Sequence, residues 1–257
     1  MKYLQGEYQI LSKTNLAKNV YDFVILAEEI AHLAQPGQFV HLKVKGFLLR
    51  RPISICEIDP QKGTIRIVFE VRGEGTQQLS QLNQGELIDI MGPLGNGFTK
   101  LEKQKKVIVV GGGIGVPPML EVAKYYGDNA TAITGFRSAN AVILNEDFKR
   151  IGAHLMLCTD DGTMGGKGFV TNALKYHLLQ EHADMIYACG PQMMLKGVME
   201  LAKEYNIPCE VSLEERMGCG VGACLVCACK TVKNGNEYLA HVCKDGPVFP
   251  AENVIFD

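Results

Sequence analysis

Apolar and polar residues alternate in short runs over the first hundred positions. Residues 65–71 carry an apolar side chain at every second position, with Arg66 and Glu70 between them. A period of two is typical of a half-buried β-strand. Similar short runs, each bounded by turn residues, occupy residues 21–26, 38–44 and 87–91. This spacing of short strands favours an antiparallel barrel or sandwich.

The pattern changes at about residue 100, where short apolar runs begin to alternate with segments of helical length. Strands are predicted at 107–110, 131–136, 155–159 and 185–189, and helices at 117–126, 169–180 and 191–205. Strands and helices that alternate in this way predict a parallel sheet covered by helices. After Glu214 the pattern changes again, to a compact segment rich in cysteine and glycine.

These changes divide the chain into three predicted units. Residues 1–100 form an N-terminal antiparallel β-barrel, residues 101–213 a parallel-sheet α/β domain, and residues 214–257 a small Cys-rich module. A chain of 257 residues is long enough to bury a sizeable core in more than one unit.

Composition and charge exclude several classes of protein. The net charge of −2 argues against a general nucleic-acid binder, which would carry a strong positive excess. No apolar stretch reaches the roughly 20 residues of a membrane span. The sequence MKYLQGEYQ at the N-terminus lacks the apolar region of a signal peptide. We therefore expect a cytoplasmic protein with neither a membrane nor a nucleic acid as partner.

Five of the nine cysteines lie after residue 218. Their spacing is Cys219-x4-Cys224-x2-Cys227, followed after fifteen residues by Cys243, which is the plant-type [2Fe-2S] arrangement. Small residues between the ligands let the backbone wrap a cluster and leave N–H groups free to bond its sulfurs. Cys229 is surplus to this set. A structural zinc site is the alternative, although the second short Cys pair that zinc modules usually contain is missing.

A glycine-rich turn follows the strand predicted at 107–110. Its residues Gly111, Gly112, Gly113 and Gly115 would let the backbone approach a pyrophosphate, and Pro117 fits the first turn of a helix. The turn departs from the G-x-G-x-x-G fingerprint at Val116. A tight strand-to-helix turn without a ligand is the alternative interpretation.

Two later strand ends support a nucleotide site, because ligands bind at the carboxyl ends of strands in such sheets. Arg137 follows the second predicted strand and could meet a ribose or a phosphate. Cys189, Gly190 and Pro191 follow a later strand, where the Cys189 thiol could lie beside a nicotinamide ring and form the candidate catalytic group. A small buried residue is the alternative role for Cys189.

The predicted barrel contains two further candidate binding motifs. A fixed arginine and a hydroxyl in Arg51-Pro52-Ile53-Ser54 suit the phosphate and the ring edge of a flavin. The turn Gly73-Glu74-Gly75-Thr76 precedes a helix predicted over 76–82 and could present N–H groups to a diphosphate. Taken alone, both turns would be interpreted as structural.

The order of these motifs resembles the ferredoxin–NADP reductase superfamily. With the cysteine tail, the whole chain is similar to the electron-transfer subunits of class B dihydroorotate dehydrogenases. The resemblance implies an FAD-binding barrel, an NAD-binding domain and a [2Fe-2S] module. It assigns FAD binding to Arg51, Pro52, Ile53, Ser54, Val68, Phe69, Glu70, Gly75 and Thr76. It assigns cluster ligation to Cys219, Cys224, Cys227 and Cys243.

The same resemblance implies a role in pyrimidine biosynthesis. A separate FMN-containing catalytic subunit would oxidise dihydroorotate, and electrons would pass through [2Fe-2S] and FAD to NAD⁺. A flavin is needed between the cluster and NAD⁺, because nicotinamide exchanges electrons in pairs and a cluster exchanges them one at a time. A two-plus-two heterotetramer is expected. Two alternatives stay open: a related subunit serving a ferredoxin, sulfide or hydrogenase partner, and a zinc-stabilised nucleotide-binding module.

Overall fold

The computed structural model of the chain describes residues 3–256, which begin with a closed six-stranded barrel. Its strands are β1 (Leu4–Ala17), β2 (Val20–Leu26), β3 (Phe39–Leu42), β4 (Arg51–Asp59), β5 (Thr64–Glu70) and β6 (Leu87–Leu94). They run in the order β1-β2-β5-β4-β3-β6, and every neighbouring pair is antiparallel. The predicted antiparallel barrel is confirmed. Residues 1–2 and 257, which belong to the predicted outer units, lie outside the described part.

Alternate positions of the strands fill the barrel with apolar side chains, as the period of two requires. Phe23, Ile25 and Ile67 are fully buried, and Phe69 packs edge-on to Phe23 with ring centroids 5.2 Å apart. Two short helices, α1 (Glu28–Leu33) and α2 (Glu74–Leu79), lie between barrel strands. The helix expected over 76–82 thus begins two residues earlier and ends three residues earlier.

A seven-stranded sheet forms the second layer of the molecule. Its strands from the α/β region are β7 (Val107–Gly112), β8 (Ala130–Phe136), β9 (His154–Thr159), β10 (Gly166–Lys167), β11 (Met185–Cys189) and β12 (Cys209–Ser212). The helices of this region are α3 (Pro117–Tyr126), α4 (Asn145–Arg150), α5 (Val170–Leu178) and α6 (Gln192–Glu204). The strands pair in parallel, as predicted.

The C-terminal segment adds a two-stranded ribbon and one more strand of the sheet. The ribbon is β13 (Ala228–Lys233) paired with β14 (Asn236–His241), and the further strand is β15 (Val248–Pro250). The complete sheet runs β10-β9-β8-β7-β11-β12-β15, with β15 antiparallel to β12. Hydrogen bonding therefore continues across the boundary that we predict between residues 213 and 214.

Polar contacts fix the three regions relative to one another. Arg66 of the barrel pairs with Asp22 at 2.8 Å and with Asp147 of α4 at 2.6 Å. The side-chain amide of Asn96, just after the barrel, donates to the carbonyl oxygens of Lys244 and Asp245 at 3.3 and 2.8 Å. None of the helices within residues 3–256 has the length and apolar content that crossing a membrane requires.

Candidate functional site

The four predicted cluster cysteines come together on one loop and one turn of the C-terminal module. Cys219, Cys224 and Cys227 lie on the irregular segment before β13, and Cys243 lies on the turn after β14. Gly220 and Gly222 have φ angles of +75° and +80°, which side chains rarely tolerate. The predicted need for small residues between the ligands is met at these two positions.

Backbone N–H groups of the loop point at the cysteine sulfurs. Val221 and Ala223 donate to Cys219 Sγ at 3.4 and 3.2 Å, and Gly222 donates to Cys243 Sγ at 3.0 Å. Burial raises the pKa of Cys219, but the N–H groups of Val221, Cys224 and Ala223 outweigh burial and lower that pKa to about 6. These donors therefore stabilise negative charge on Cys219 Sγ, whereas burial raises the pKa of Cys243 to about 12.

The four thiols form two contacting pairs. Cys219 contacts Cys224, and Cys227 contacts Cys243. A two-iron cluster held by four cysteines needs two thiolates for each iron, so the donor set fits such a cluster. The pairing thus favours a [2Fe-2S] cluster over a single zinc ion.

Cys229 lies outside these pairs. It stands on β13 opposite Ala240 and is half-buried. Burial and the charge of Glu215 raise its pKa to about 11. Because it lies on the ribbon and outside both thiol pairs, we retain the prediction that it is not a ligand.

Arg51, at the start of β4, lies against the first turn of α2. A Cβ atom at Gly75 would collide with the Arg51 guanidinium, so only glycine permits this approach. The Arg51 side chain also donates to the Leu49 carbonyl at 2.7 Å and stacks on Phe47. A cation and a backbone turn thus meet in a cradle that fits the diphosphate of FAD.

The other predicted flavin residues have different surroundings. Pro52, Ile53 and Ser54 continue β4 and are partly exposed. Thr76 accepts bonds from the N–H groups of Arg72 and Gly73 at 2.9 and 3.2 Å, so its hydroxyl shapes the turn.

The strand residues Val68, Phe69 and Glu70 offer a ligand little beyond their backbone. The side chains of Val68 and Phe69 are buried in the protein core. The carboxylate of Glu70 is paired with Arg72 at 2.8 Å. A flavin contact at Val68 or Phe69 would therefore involve backbone atoms.

The glycine-rich turn connects β7 to α3. At Gly113 the φ angle is +55° and a Cβ would meet nothing within 4 Å, so its backbone faces open space. The neighbouring glycines are needed for packing instead, because a Cβ at Gly112 would meet Met194 and one at Gly115 would collide with the Cys189 carbonyl. Gly111 is likewise held against Val116.

The three strand ends predicted to bind a nucleotide share one edge of the sheet. Gly112 pairs with Gly135 and Gly111 with Cys189, so β7 lies between β8 and β11. Arg137 follows β8 and is exposed. An anion bound at Gly113 would therefore have a cation available one strand away.

Cys189 lies at this edge but is turned into the protein. Its side chain is buried, and burial, followed by the charge of Glu214, raises its pKa to about 12. It is therefore a protonated thiol at neutral pH. Gly190 and Pro191 complete the turn, and Pro191 stands directly before α6.

Sequence reasoning missed His41, which is fully buried and lies against the cysteine loop. Its partner in space is Gly220, far away along the chain. A lone histidine in an apolar strand gives no spacing signal, so only the folded structure could reveal this contact.

Family models match the two ends of the chain. One described as the oxidoreductase FAD-binding domain matches residues 7–98. Another, described as the iron-sulfur cluster binding domain of dihydroorotate dehydrogenase B, matches residues 214–255.

Solved structures share the fold. A structure described as NADH-dependent reduced ferredoxin-NADP oxidoreductase is 32% identical, with a TM-score of 0.86, and the match covers 96% of this chain and 89% of that chain. The ferredoxin reductase of carbazole 1,9a-dioxygenase has a TM-score of 0.68 at 17% identity, covering 81% and 68%, and so shows the fold alone.

Curated relatives match over the whole length. A protein of Shouchella clausii named dihydroorotate dehydrogenase B (NAD(+)), electron transfer subunit, is 41% identical over 99% of this chain and 100% of its own. A Bacillus mycoides protein of the same name is 40% identical over 96% of each chain. The chain belongs to the family of electron transfer subunits of dihydroorotate dehydrogenase B (NAD(+)).

Proposed function

We propose that this chain is an oxidoreductase component of pyrimidine biosynthesis. It receives electrons from an FMN-containing subunit, which oxidises dihydroorotate, and passes them to NAD⁺. The observation that carries the proposal is the paired cysteine loop, packed onto a flavin-type barrel in a chain that matches its relatives from end to end. When bound, [2Fe-2S] passes single electrons, FAD exchanges one or two, and NAD⁺ accepts two as hydride.

The chain's own residues bind and tune these groups. Cys219, Cys224, Cys227 and Cys243 would hold the two irons. The N–H groups of Val221, Gly222 and Ala223, which point at the sulfurs, favour added electrons by offsetting negative charge.

The barrel would orient the flavin. Arg51 and the backbone around Gly75 would hold the FAD diphosphate, and residues 52–54 of β4 would border the ring. Because Arg51 already rests on Leu49 and Phe47, little side-chain freedom is lost when the diphosphate binds.

Replacing Arg51 by methionine tests this assignment. Losing a charge-assisted bond of about 1.5–3 kcal/mol should weaken FAD binding roughly 10- to 150-fold. Equilibrium titration of deflavinated protein with FAD, followed by flavin fluorescence, measures the dissociation constant.

Arg137→Met, in the α/β region, is the matched control. It should bind FAD as the unaltered protein does and bind NADH more weakly, because Arg137 is the exposed cation beside Gly113. Equal FAD affinity in Arg51→Met and Arg137→Met would contradict the flavin assignment.

At the sheet edge proposed to bind NAD, the residues of the chain would position the nicotinamide and would not act as acids or bases. Transfer of a hydride between nicotinamide and flavin needs no proton from the protein. Cys189 stays protonated, so we assign it to the wall of the nicotinamide site. Gly190 and Pro191 would continue that wall.

The partner subunit would dock beside the exposed cysteine. Cys224 is exposed, and next to it Leu225 and Val226 expose 60% and 56% of their surface. Exposed apolar residues around a redox centre suit a protein partner. All nine cysteines are free, which agrees with the reducing cytoplasm in which we place the complex.

Val226→Asp should separate the two subunits. A charge placed in an apolar interface core costs several kcal/mol. Co-expression of the chain with its catalytic subunit, followed by size-exclusion chromatography with light scattering, should give a two-plus-two assembly for the unaltered protein and a dissociated chain for the variant.

The control for this experiment is Leu179→Asp, which changes an exposed apolar residue of the α/β region. It should leave the assembly intact. Iron content is measured in each sample, so that cluster loss is not mistaken for subunit loss. An intact assembly in Val226→Asp would contradict the proposed surface.

A second candidate function rests on the 32% identical structure described as NADH-dependent reduced ferredoxin-NADP oxidoreductase. A chain of this kind could serve a ferredoxin-linked partner. Reduction of the purified chain by ferredoxin but not by dihydroorotate with the catalytic subunit would favour this candidate.

A further inference from the structure

His41 is a buried polar side chain whose ring nitrogens form no well-aligned hydrogen bond. Its exposure is 0%, and neither Nδ1 nor Nε2 makes a hydrogen bond of normal geometry among residues 3–256, although the Arg50 backbone lies near the ring. Buried polar atoms are almost always paired, because leaving one unpaired costs free energy. The ring therefore points to a partner that the polypeptide itself does not supply.

The position of His41 places it between the flavin segment and the cluster loop. On β3 it lies opposite Pro52 of β4 on one side and Met91 of β6 on the other. The neighbouring Val40 and Leu42 belong to the barrel core, and successive side chains of a strand point to opposite faces. The His41 ring is thus on the outer face of the barrel.

This outer face is covered by the cysteine loop. A Cβ atom at Gly220 would stand 2.6 Å from His41 Nδ1 and 3.2 Å from the terminal carbon of Met91. Gly220 directly follows the ligand Cys219, and its φ of +75° keeps the backbone at this close distance. The imidazole therefore touches the loop that wraps the cluster.

The ring is neutral in these surroundings. Burial, followed by the charge of Arg50, lowers the pKa of His41 to about 4, and these effects outweigh an opposing contribution from the Arg50 backbone. Arg50 is itself fixed, since it donates to the His41 carbonyl at 3.2 Å and pairs with Asp89 at 2.9 Å. A neutral imidazole carries one N–H donor and one acceptor nitrogen.

We propose that His41 is a positioning residue of the electron path, whose ring N–H is donated to a sulfur at the cluster site. This inference rests on the proposed function and adds to it a residue outside the four ligands. A donated N–H stabilises the extra negative charge of the reduced cluster and so raises its reduction potential. His41 would also join the cluster loop to the strand beside the flavin segment.

The test uses the loaded complex with its catalytic subunit and compares two His41 variants. His41→Leu removes the donor and should lower the midpoint potential of the cluster, measured by redox titration with electron paramagnetic resonance. His41→Asn, whose amide can stand near the Nδ1 position, should restore most of the shift. Met91→Leu is the packing control, because it touches the same glycine without an N–H, and should leave the potential unchanged.

A second measurement does not depend on the folding of the His41 variants. Pulsed electron paramagnetic resonance of the dithionite-reduced complex, labelled with ¹⁵N-histidine, should show a weak nitrogen coupling. His241→Gln, which removes the histidine nearest to Cys243 in sequence, should retain this coupling. Absence of the coupling would overturn the proposal, as would an unchanged cluster potential in His41→Leu or a shift confined to the flavin. Dithionite supplies the electrons in this measurement, so its result does not depend on the proposed function. Failure of dihydroorotate to reduce the complex would count against the proposed function and not against the role of His41.

Discussion

Replacement of Cys243 by serine removes the iron–sulfur cluster and stops electron flow from the partner subunit. Cys243 is fully buried, contacts Cys227 and accepts the Gly222 N–H at 3.0 Å. A serine hydroxyl gives up its proton far less readily than a thiol and is a poor ligand for iron. One iron would thus lose half of its protein ligands.

The expected iron content falls from about two atoms per chain to near zero. Dihydroorotate-dependent reduction of NAD⁺ should fall more than about 100-fold. This loss is larger than the loss expected from changing a residue that only hydrogen-bonds to a metal ligand. Reduction of ferricyanide by NADH should persist, because this reaction needs only the flavin and NAD sites. Iron and acid-labile sulfide assays, with both activities, measure the result.

Cys229→Ser is the matched control for this prediction. Cys229 lies two residues from the ligand Cys227 but stands on β13, outside both thiol pairs. Its replacement should leave two irons and both activities in place. Loss of the cluster in Cys229→Ser, together with retention in Cys243→Ser, would show that the ligand set is wrongly assigned.

Replacement of Arg66 by methionine lowers the free energy of unfolding by about 3–5 kcal/mol, the usual cost of breaking a buried ion pair. Arg66 exposes only 13% of its side chain and pairs with Asp22, Glu57 and Asp147. Without the guanidinium, three half-buried or buried carboxylates would repel one another. Two of them are on the barrel and the third is on α4.

Chemical denaturation in saturating FAD, followed by flavin release and circular dichroism, measures the change. Arg150→Met is the control, because Arg150 pairs with the same Asp147 at 2.9 Å but exposes 62% of its side chain. An exposed pair is worth about 1 kcal/mol or less. If both variants lose equal stability, the buried network does not hold the barrel against the α/β region.

Features carried by local spacing were predictable from the sequence. The four cysteines need only a short loop and one distant turn, and their spacing alone indicated the cluster. The alternation in residues 64–70 and the strand-to-helix turn after β7 are equally local. The barrel and the parallel sheet followed from such patterns.

Features made by distant contacts were not predictable. The first half of β1 alternates between more buried and exposed positions, but Ile10 is its only fully buried residue, so it carries too few apolar side chains for the sequence pattern to predict it. β15 is three residues long and finds its place only by pairing with β12. The contact of His41 with Gly220 joins positions that share no pattern. In the glycine-rich turn, the sequence did not reveal that Gly112 and Gly115 serve packing while Gly113 alone faces open space.

The most direct test of the electron path is an anaerobic titration of the purified two-subunit complex with dihydroorotate, followed by visible absorption. Flavin and cluster absorbance should bleach together, and NAD⁺ should restore both. Bleaching by NADH but not by dihydroorotate would contradict the proposed electron path, since the cofactors would then be intact while electrons arrived from a different partner.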